Sequence, residues 1–215
     1  MSRPTKQLKL NNTIAVIVDG QTEQWYIECA KRHYRAGTLR AISIAPKLPQ
    51  KKKIDELVSL AKEKVLEGYK KVVLIVDFDE VLSNNNEFER FKILVNTPDI
   101  WMKDVMVIVN NPCLEYWYLL HFEKTNRFYL GFNNEMKKAL QKHLPNYDKG
   151  NKYYCDNPDI YTRLGGNEGL STARNNANSL PPFDIHTCKE RGVSEMSKIF
   201  DYFDSLYNVI PKTNV

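Results

Sequence analysis

The stretch VIVDGQTEQWYIECA, residues 16–30, places two carboxylates, Asp19 and Glu23, where an apolar segment meets an amphipathic one. The run Ile14–Val18 contains only apolar residues, which predicts a short buried strand. The following segment has helical spacing, with Thr22 as the expected N-cap and Glu23 in the first turn. The stretch therefore predicts a strand, a glycine turn and a helix, with both acids at the junction.

The same strand-then-helix pattern repeats along residues 13–122. Two further apolar runs, Val72–Val76 and Val105–Val109, predict strands, and Ala41–Ala45 predicts a weaker one. Amphipathic segments with helical spacing follow them, and the last of these helices is expected to begin at Asn111 and Pro112. Apolar strands that alternate with helices indicate a parallel sheet with helices on both faces. The predicted fold class is therefore α/β.

The rest of the chain is less regular. Residues 1–12 are basic and polar and predict a loose arm, and residues 13–125 form the predicted α/β domain. Residues 126–215 predict a mostly helical extension packed on that domain. Within it, Thr187 and Glu190 have the spacing of a capping box, which predicts the start of a final helix.

Composition excludes some classes of protein and permits others. The chain has 215 residues, of which 42% are hydrophobic, and a formal charge of +5, which permits a nucleic-acid partner without requiring one. Its four cysteines form no CxxC pair and predict free thiols in a reducing compartment. No signal core or membrane-length apolar segment is visible, so we expect a cytoplasmic protein without a membrane partner.

Acidic residues follow three of the predicted strands. Asp19 and Glu23 follow the first, Asp77 and Asp79 follow the run ending at Val76, and Glu115 lies just after the Val105–Val109 run. Residues after parallel strands gather at one edge of the sheet. We expect Asp77 and Asp79 to share one side of an extended chain.

Such a group of oxygen ligands suits Mg²⁺ or Mn²⁺. Each acid also has an ordinary interpretation. Asp19 suits a turn beside Gly20, and Glu23 and Glu115 each favour a helix N-terminus. The DxD pair at Asp77 and Asp79 is harder to explain in this way, because it brings two charges to the end of a buried strand.

Three motifs resemble those of the RloB-like family and of the Toprim domains in overcoming-lysogenization-defect nucleases. DGQTE, residues 19–23, is similar to their EGxTE signature, and DFD, residues 77–79, is similar to their DxD. NPCLEYWYLLHF, residues 111–122, is similar to the NPxFExWxLLHF stretch of RloB-like proteins. The motifs occur in the family's order and cover about half of the chain.

The resemblance implies a Toprim-like parallel sheet sandwiched by helices, with Mg²⁺ or Mn²⁺ as the cofactor. It implies a nuclease acting on RNA or DNA, associated with bacterial defence against phage and an ATPase partner. The catalytic residues would be Asp19, Glu23, Asp77 and Asp79, and the metal ligands would be Glu23, Asp77, Asp79 and Glu115. Asp19 would be a further ligand or the general base. It stands where the family has glutamate, and its shorter side chain questions the catalytic geometry.

Four basic residues in the less regular half are candidates for phosphate contact. They are Lys149, Lys152, Arg163 and Arg174. An alternative interpretation is a Toprim-fold binding or regulatory module with weakened chemistry.

A third interpretation starts from LIVDFDEVL, residues 74–82, which resembles the nucleophile motif of haloacid dehalogenase-like phosphatases. Those enzymes place the motif on the first strand and use a later acidic pair. Here it lies on the third predicted strand without a suitable downstream pair of aspartates, which disfavours this interpretation.

Overall fold

The computed structural model describes residues 14–18, 20–34, 42–45, 52–96 and 99–209, and of residues 206–209 it describes the backbone only. Within these residues, the strands are β1 (Ile14–Ile17), β2 (Ile42–Ala45), β3 (Lys71–Asp77), β4 (Val105–Asn111) and β5 (Val193–Ser194). The helices are α1 (Gln21–His33), α2 (Ile54–Leu66), α3 (Phe78–Ser83), α4 (Asn85–Asn96), α5 (Leu114–Leu120), α6 (Asn134–Gln141), α7 (Asn151–Cys155), α8 (Ile160–Arg163), α9 (Gly166–Asn178) and α10 (Ser197–Val209). A short 3-10 helix, Ile100–Asp104, precedes β4.

The strands form one sheet in the order β2-β1-β3-β4-β5. Strands β1 to β4 pair in parallel, whereas β5 is antiparallel to β4, with Asn110 opposite Ser194 and Asn111 opposite Val193. The predicted α/β class is confirmed. The extension predicted to be mostly helical also supplies this edge strand, and the domain boundary at residue 125 stays a prediction.

Alternate residues of the strands pack into two apolar cores, one on each face of the sheet. Val16, Val73 and Ile75 join one core with α1, α5 and the helices of the C-terminal half. Ile17 and Leu74 join the other core with α2, α3 and α4. The sheet is therefore sandwiched between helical layers, as period-two burial on both faces requires.

Helix α5 is buried along its whole length, since all seven of its residues are buried. Trp117 Nε1 donates a hydrogen bond to Tyr26 Oη at 2.6 Å, and the Trp117 ring stacks on Phe200 of α10 with centroids 6.2 Å apart. A helix that is apolar on all sides must be covered on all sides. The structure covers α5 with the sheet, α1 and the C-terminal helices.

Several predicted helix starts are wrong. Helix α1 begins at Gln21 after Gly20 instead of being capped by Thr22. Asn111 belongs to β4, and Cys113 is the N-cap residue of α5. Thr187 and Glu190 lie in turns before β5, and α10 begins only at Ser197. In each case a local sequence pattern competed with sheet pairing or with tertiary packing, which decided the outcome.

All four cysteines carry free thiols, as expected. Among the described residues, no helix is both long and apolar enough to cross a bilayer.

Candidate functional site

Four of the predicted acidic residues lie at the carboxyl edge of the sheet. Glu23 is in the first turn of α1, Asp77 ends β3, Asp79 is in α3 and Glu115 is in the first turn of α5. The expectation that Asp77 and Asp79 share one side of an extended chain is wrong, because α3 begins at Phe78. The backbone N–H groups of Phe78 and Asp79 both donate to the carbonyl of Pro112, at 2.8 and 2.9 Å. These bonds tie the end of β3 to the segment that leads into α5.

Glu23 is a buried carboxylate that is only partly satisfied. Its side chain is 3% exposed, and Oε1 accepts a hydrogen bond from Thr22 Oγ1 at 3.1 Å. Burial raises the pKa of Glu23, the charge of Glu115 raises it further, and Asp77 lies within hydrogen-bonding range. In the described part of the chain, no donor reaches Glu23 Oε2. Binding of a proton or a cation at this oxygen would therefore offset the cost of burying it.

Glu115 is as deeply buried as Glu23 but has stronger partners. Its Oε1 is 2.6 Å from Lys149 Nζ and accepts a hydrogen bond from Tyr147 Oη at 2.8 Å. Tyr147 Oη is in turn 2.6 Å from Tyr154 Oη. Oε2 of Glu115 has no donor among the described residues. If Glu115 served only to complement the helix dipole of α5, it would not require these side-chain partners.

Asp77 and Asp79 complete the described acidic group. Asn110 Nδ2, at the end of β4, donates to Asp77 Oδ1 at 3.4 Å. Burial raises the pKa of Asp79, and the neighbouring Glu80 carboxylate raises it further. Gly131 has a φ of 77°, and a Cβ there would lie 3.0 Å from Asp79 Oδ2. The loop before α6 is therefore packed closely against Asp79, and glycine is favoured at this position.

A comparison with protein families identifies the family of the chain. The model of the RloB-like protein family matches residues 14–201. The chain belongs to the RloB-like family. No curated protein and no solved structure gives a significant match. The matched residues include every acid described above, the five strands of the sheet and most of the C-terminal helices of this RloB-like protein.

The four candidate cations have different surroundings in this RloB-like protein. Lys149 contacts the acidic group, and although burial by itself would lower its pKa, Glu115 raises it above the usual value. Arg163 lies over the ring of Tyr153, and Lys152 is exposed. Arg174 forms ion pairs with Asp201 and Asp204 of α10, at 2.5 and 2.8 Å. This bonding pattern is typical of a structural arginine.

The donor chemistry of the site fits a hard divalent cation. Two buried carboxylate oxygens without donors, Glu23 Oε2 and Glu115 Oε2, are the groups that such a cation would stabilise. Within the described residues, however, no three Asp, Glu, His or Cys side chains are grouped as a metal site by themselves. Asp19 lies outside the described residues. A complete ligand shell therefore requires Asp19, solvent or a shift of Asp77 and Asp79.

Sequence reasoning missed the neutral and positive partners of these acids. Tyr147 and Tyr154 connect α7 to Glu115, and Asn110 reaches Asp77 from the next strand. Asn110 directly follows the apolar run of β4, so its position at the sheet edge was a usable signal. The tyrosines lie in a segment without clear periodicity, where the sequence carries no signal for a contact with α5.

Proposed function

We propose that this RloB-like protein is a Toprim-type nuclease that hydrolyses phosphodiester bonds of RNA or DNA with Mg²⁺ or Mn²⁺. The main support is the pair of buried, donor-free carboxylate oxygens of Glu23 and Glu115 at the carboxyl edge of the parallel sheet. A buried carboxylate oxygen without a donor lowers the stability of a fold, so these two oxygens favour the binding of a cation. Ligands of open α/β sheets bind at this edge.

The roles of the residues follow from their positions. Glu23, Asp77, Asp79 and Glu115 would hold the cation, which would supply Lewis acidity and an activated water. Asp19 keeps its predicted role as a further ligand or as the general base.

Lys149 would compensate charge beside the acids. Its Nζ lies 2.6 Å from Glu115, and its side chain retains 47% exposure. One Lys149 ammonium can therefore contact both the acidic group and a phosphate oxygen that arrives from solvent. A role in defence against phage, with an ATPase partner, is the biological context that the family resemblance suggests.

The test is thermal unfolding with and without millimolar Mn²⁺ for wild type, Asp77→Asn and Glu89→Gln. Glu89 is a matched exposed acid on α4. A cation at 100 times its Kd adds about 2.7 kcal/mol to folding, which is roughly 5–10 °C for a chain of this size. We expect the increment in wild type and Glu89→Gln and its loss in Asp77→Asn. An equal increment in all three proteins would reject a metal site at Asp77.

Cleavage of end-labelled single-stranded RNA, tRNA and DNA with Mn²⁺ then tests the chemistry itself. We expect wild type to cleave at least one substrate and Asp77→Asn to leave it intact. A protein that binds Mn²⁺ through Asp77 but cleaves none of them would support the second candidate, a regulatory module. One observation favours that candidate: Lys149 already neutralises part of the acidic charge.

A further inference from the structure

Three half-buried aromatic rings pack against Tyr147 or Tyr154; we call them the aromatic rim, and they are Trp25, Phe132 and Tyr153. The rings of Phe132 and Tyr153 lie 5.7 and 5.5 Å from the ring of Tyr147, which donates to Glu115. Trp25 lies two residues after Glu23, and its ring is 5.6 Å from that of Tyr154. Phe132 and Tyr153 are therefore one aromatic neighbour away from the acidic group, and Trp25 is two away, through Tyr154 and Tyr147.

Cations accompany two rings of the rim. Lys149 Nζ lies 4.5 Å from the ring centroid of Phe132, and Arg163 Cζ lies 4.5 Å from that of Tyr153. Lys152, next to Tyr153 on α7, is exposed. Among the described residues, neither Lys152 nor Arg163 forms an ion pair with an acid. Positive charge thus alternates with aromatic surface beside the acids.

The exposure of the rim separates it from the aromatic core. Tyr116, Trp117 and Tyr118 of α5 are completely buried, with 0% exposure, so their packing needs no ligand. The rim rings retain solvent-accessible surface, and Leu130, two residues before Phe132, is 75% exposed. Aromatic and apolar surface beside a strongly charged site is costly to leave in water and suits a partner with flat apolar faces.

We propose that the aromatic rim binds single-stranded nucleic acid, with unpaired bases stacked on Phe132 and Tyr153 and phosphates contacted by Lys152 and Arg163. Aromatic platforms next to cations are how proteins hold unpaired strands, because every base has a stacking face. A duplex hides those faces inside its base stack, so the rim selects unpaired nucleotides. The inference rests on the proposed function, since it names the substrate class of that site.

The experiment measures binding without cleavage, by fluorescence anisotropy of labelled 12-nucleotide strands in EDTA. The probes are single-stranded RNA, single-stranded DNA, the corresponding duplexes and an abasic strand of equal length. The variants are Tyr153→Leu, Tyr153→Phe and Lys152→Ala. Tyr69→Leu is the matched control, because Tyr69 is a half-buried tyrosine that packs against the core on the other face of the sheet.

We expect wild type to bind single strands better than duplexes or the abasic strand. Loss of one stacked base weakens binding roughly 5- to 100-fold, so Tyr153→Leu should show a loss in this range. Tyr153→Phe and Tyr69→Leu should bind like wild type. Lys152→Ala should lower the slope of log affinity against log salt by about 0.7, while Tyr153→Leu should leave that slope unchanged.

Three results would overturn the inference: equal affinity for abasic and normal strands, preference for duplexes, or wild-type affinity of Tyr153→Leu. Circular dichroism and the unfolding midpoint test whether Tyr153→Leu is folded. If it is not, the same binding measurement on Phe132→Leu tests the inference. The two proposals fail separately. Base-dependent binding without any cleavage rejects the nuclease alone, whereas cleavage that is insensitive to both ring variants rejects the rim alone.

Discussion

A buried carboxylate lies at each end of helix α1. Glu23 belongs to its first turn, and Asp159 contacts its last turn. Asp159 is 7% exposed and accepts hydrogen bonds from Arg32, His33 and both the backbone N–H and hydroxyl of Thr162, at 2.7–3.1 Å. Glu23 is 3% exposed, yet its Oε2 has no donor in the part of the chain that the structure describes.

The pKa values of the two groups reflect this difference. Burial by itself would raise the pKa of Asp159, but its hydrogen bonds, chiefly from Thr162 and His33, lower it below the usual value. Burial raises the pKa of Glu23, and Glu115 adds to that effect. One end of the helix thus has a carboxylate whose two oxygens both accept hydrogen bonds, and the other has a carboxylate with one donor-free oxygen, which separates a structural acid from a candidate functional one.

The largest expected effect on the free energy of unfolding is at Asp159, beside the last turn of α1. Asp159→Ala removes the N-cap of α8 and the acceptor of Arg32 and His33, whose half-exposed side chains water can partly rehydrate. We expect a loss of about 2 kcal/mol in the free energy of unfolding. Urea unfolding in EDTA at pH 7.5 measures it. The control Asp156→Ala removes an exposed acid and should cost less than about 0.5 kcal/mol.

At the other end of α1, Glu23→Gln should have the opposite sign. It removes a buried charge next to Glu115, so we expect the metal-free protein to gain about 1 kcal/mol, in the range of charge-optimising substitutions. The Mn²⁺-dependent increment in the unfolding midpoint should disappear in the same variant. A loss of stability as large as that of Asp159→Ala would instead make Glu23 a structural acid.

A smaller effect on stability is expected from Gly20→Ala. A Cβ on Gly20 would overlap the Glu23 carboxylate, whose flexible end can move aside, and the backbone φ of −118° suits alanine. Because alanine is a poorer N-cap residue than glycine, we expect the free energy of unfolding to fall by about 0.5 kcal/mol, while the Mn²⁺ increment falls. Gln21→Ala, at the next and exposed position, should retain the full increment. An undiminished increment in Gly20→Ala would show that the orientation of Glu23 is unimportant for the metal.

The smallest effect is a pH dependence in EDTA. Because the folded protein raises the pKa of Glu23, this group favours folding below pH 4.5, and the contribution is lost as the pH rises through its folded pKa. The advantage of Glu23→Gln over wild type should therefore grow as the pH rises above 4.5. Burial lowers the pKa of His121 to about 4, which weakens folding as the pH drops below about 6.5. That contribution occurs in both proteins and cancels in the difference.

The sequence was informative where a feature depends on periodicity. The apolar runs ending at Val18, Val76 and Val109 correspond to β1, β3 and β4, and parallel pairing explains why Glu23, Asp77 and Glu115 lie at one edge. The family motifs predicted the RloB-like family, and the family model matches residues 14–201.

The remaining features depend on contacts between distant segments. A two-residue strand such as Val193–Ser194 has no period to detect, and its pairing with β4 joins positions 84 residues apart, Asn110 and Ser194. The bond between Lys149 and Glu115 likewise depends on where the loop after α6 packs. Thr187 and Glu190 are the opposite case: their spacing matches a capping box and predicted a helix, but the segment forms turns before β5.

The late position of β5 and α10 has a consequence for synthesis on the ribosome. Trp117 and Tyr26 emerge early, but the Phe200 ring that packs against both of them is translated more than 80 residues after Trp117. A nascent chain that ends before Phe200 would therefore expose the most apolar helix of the protein, a condition that favours chaperone binding and aggregation. The cover of α5 is thus completed only after translation has passed residue 200.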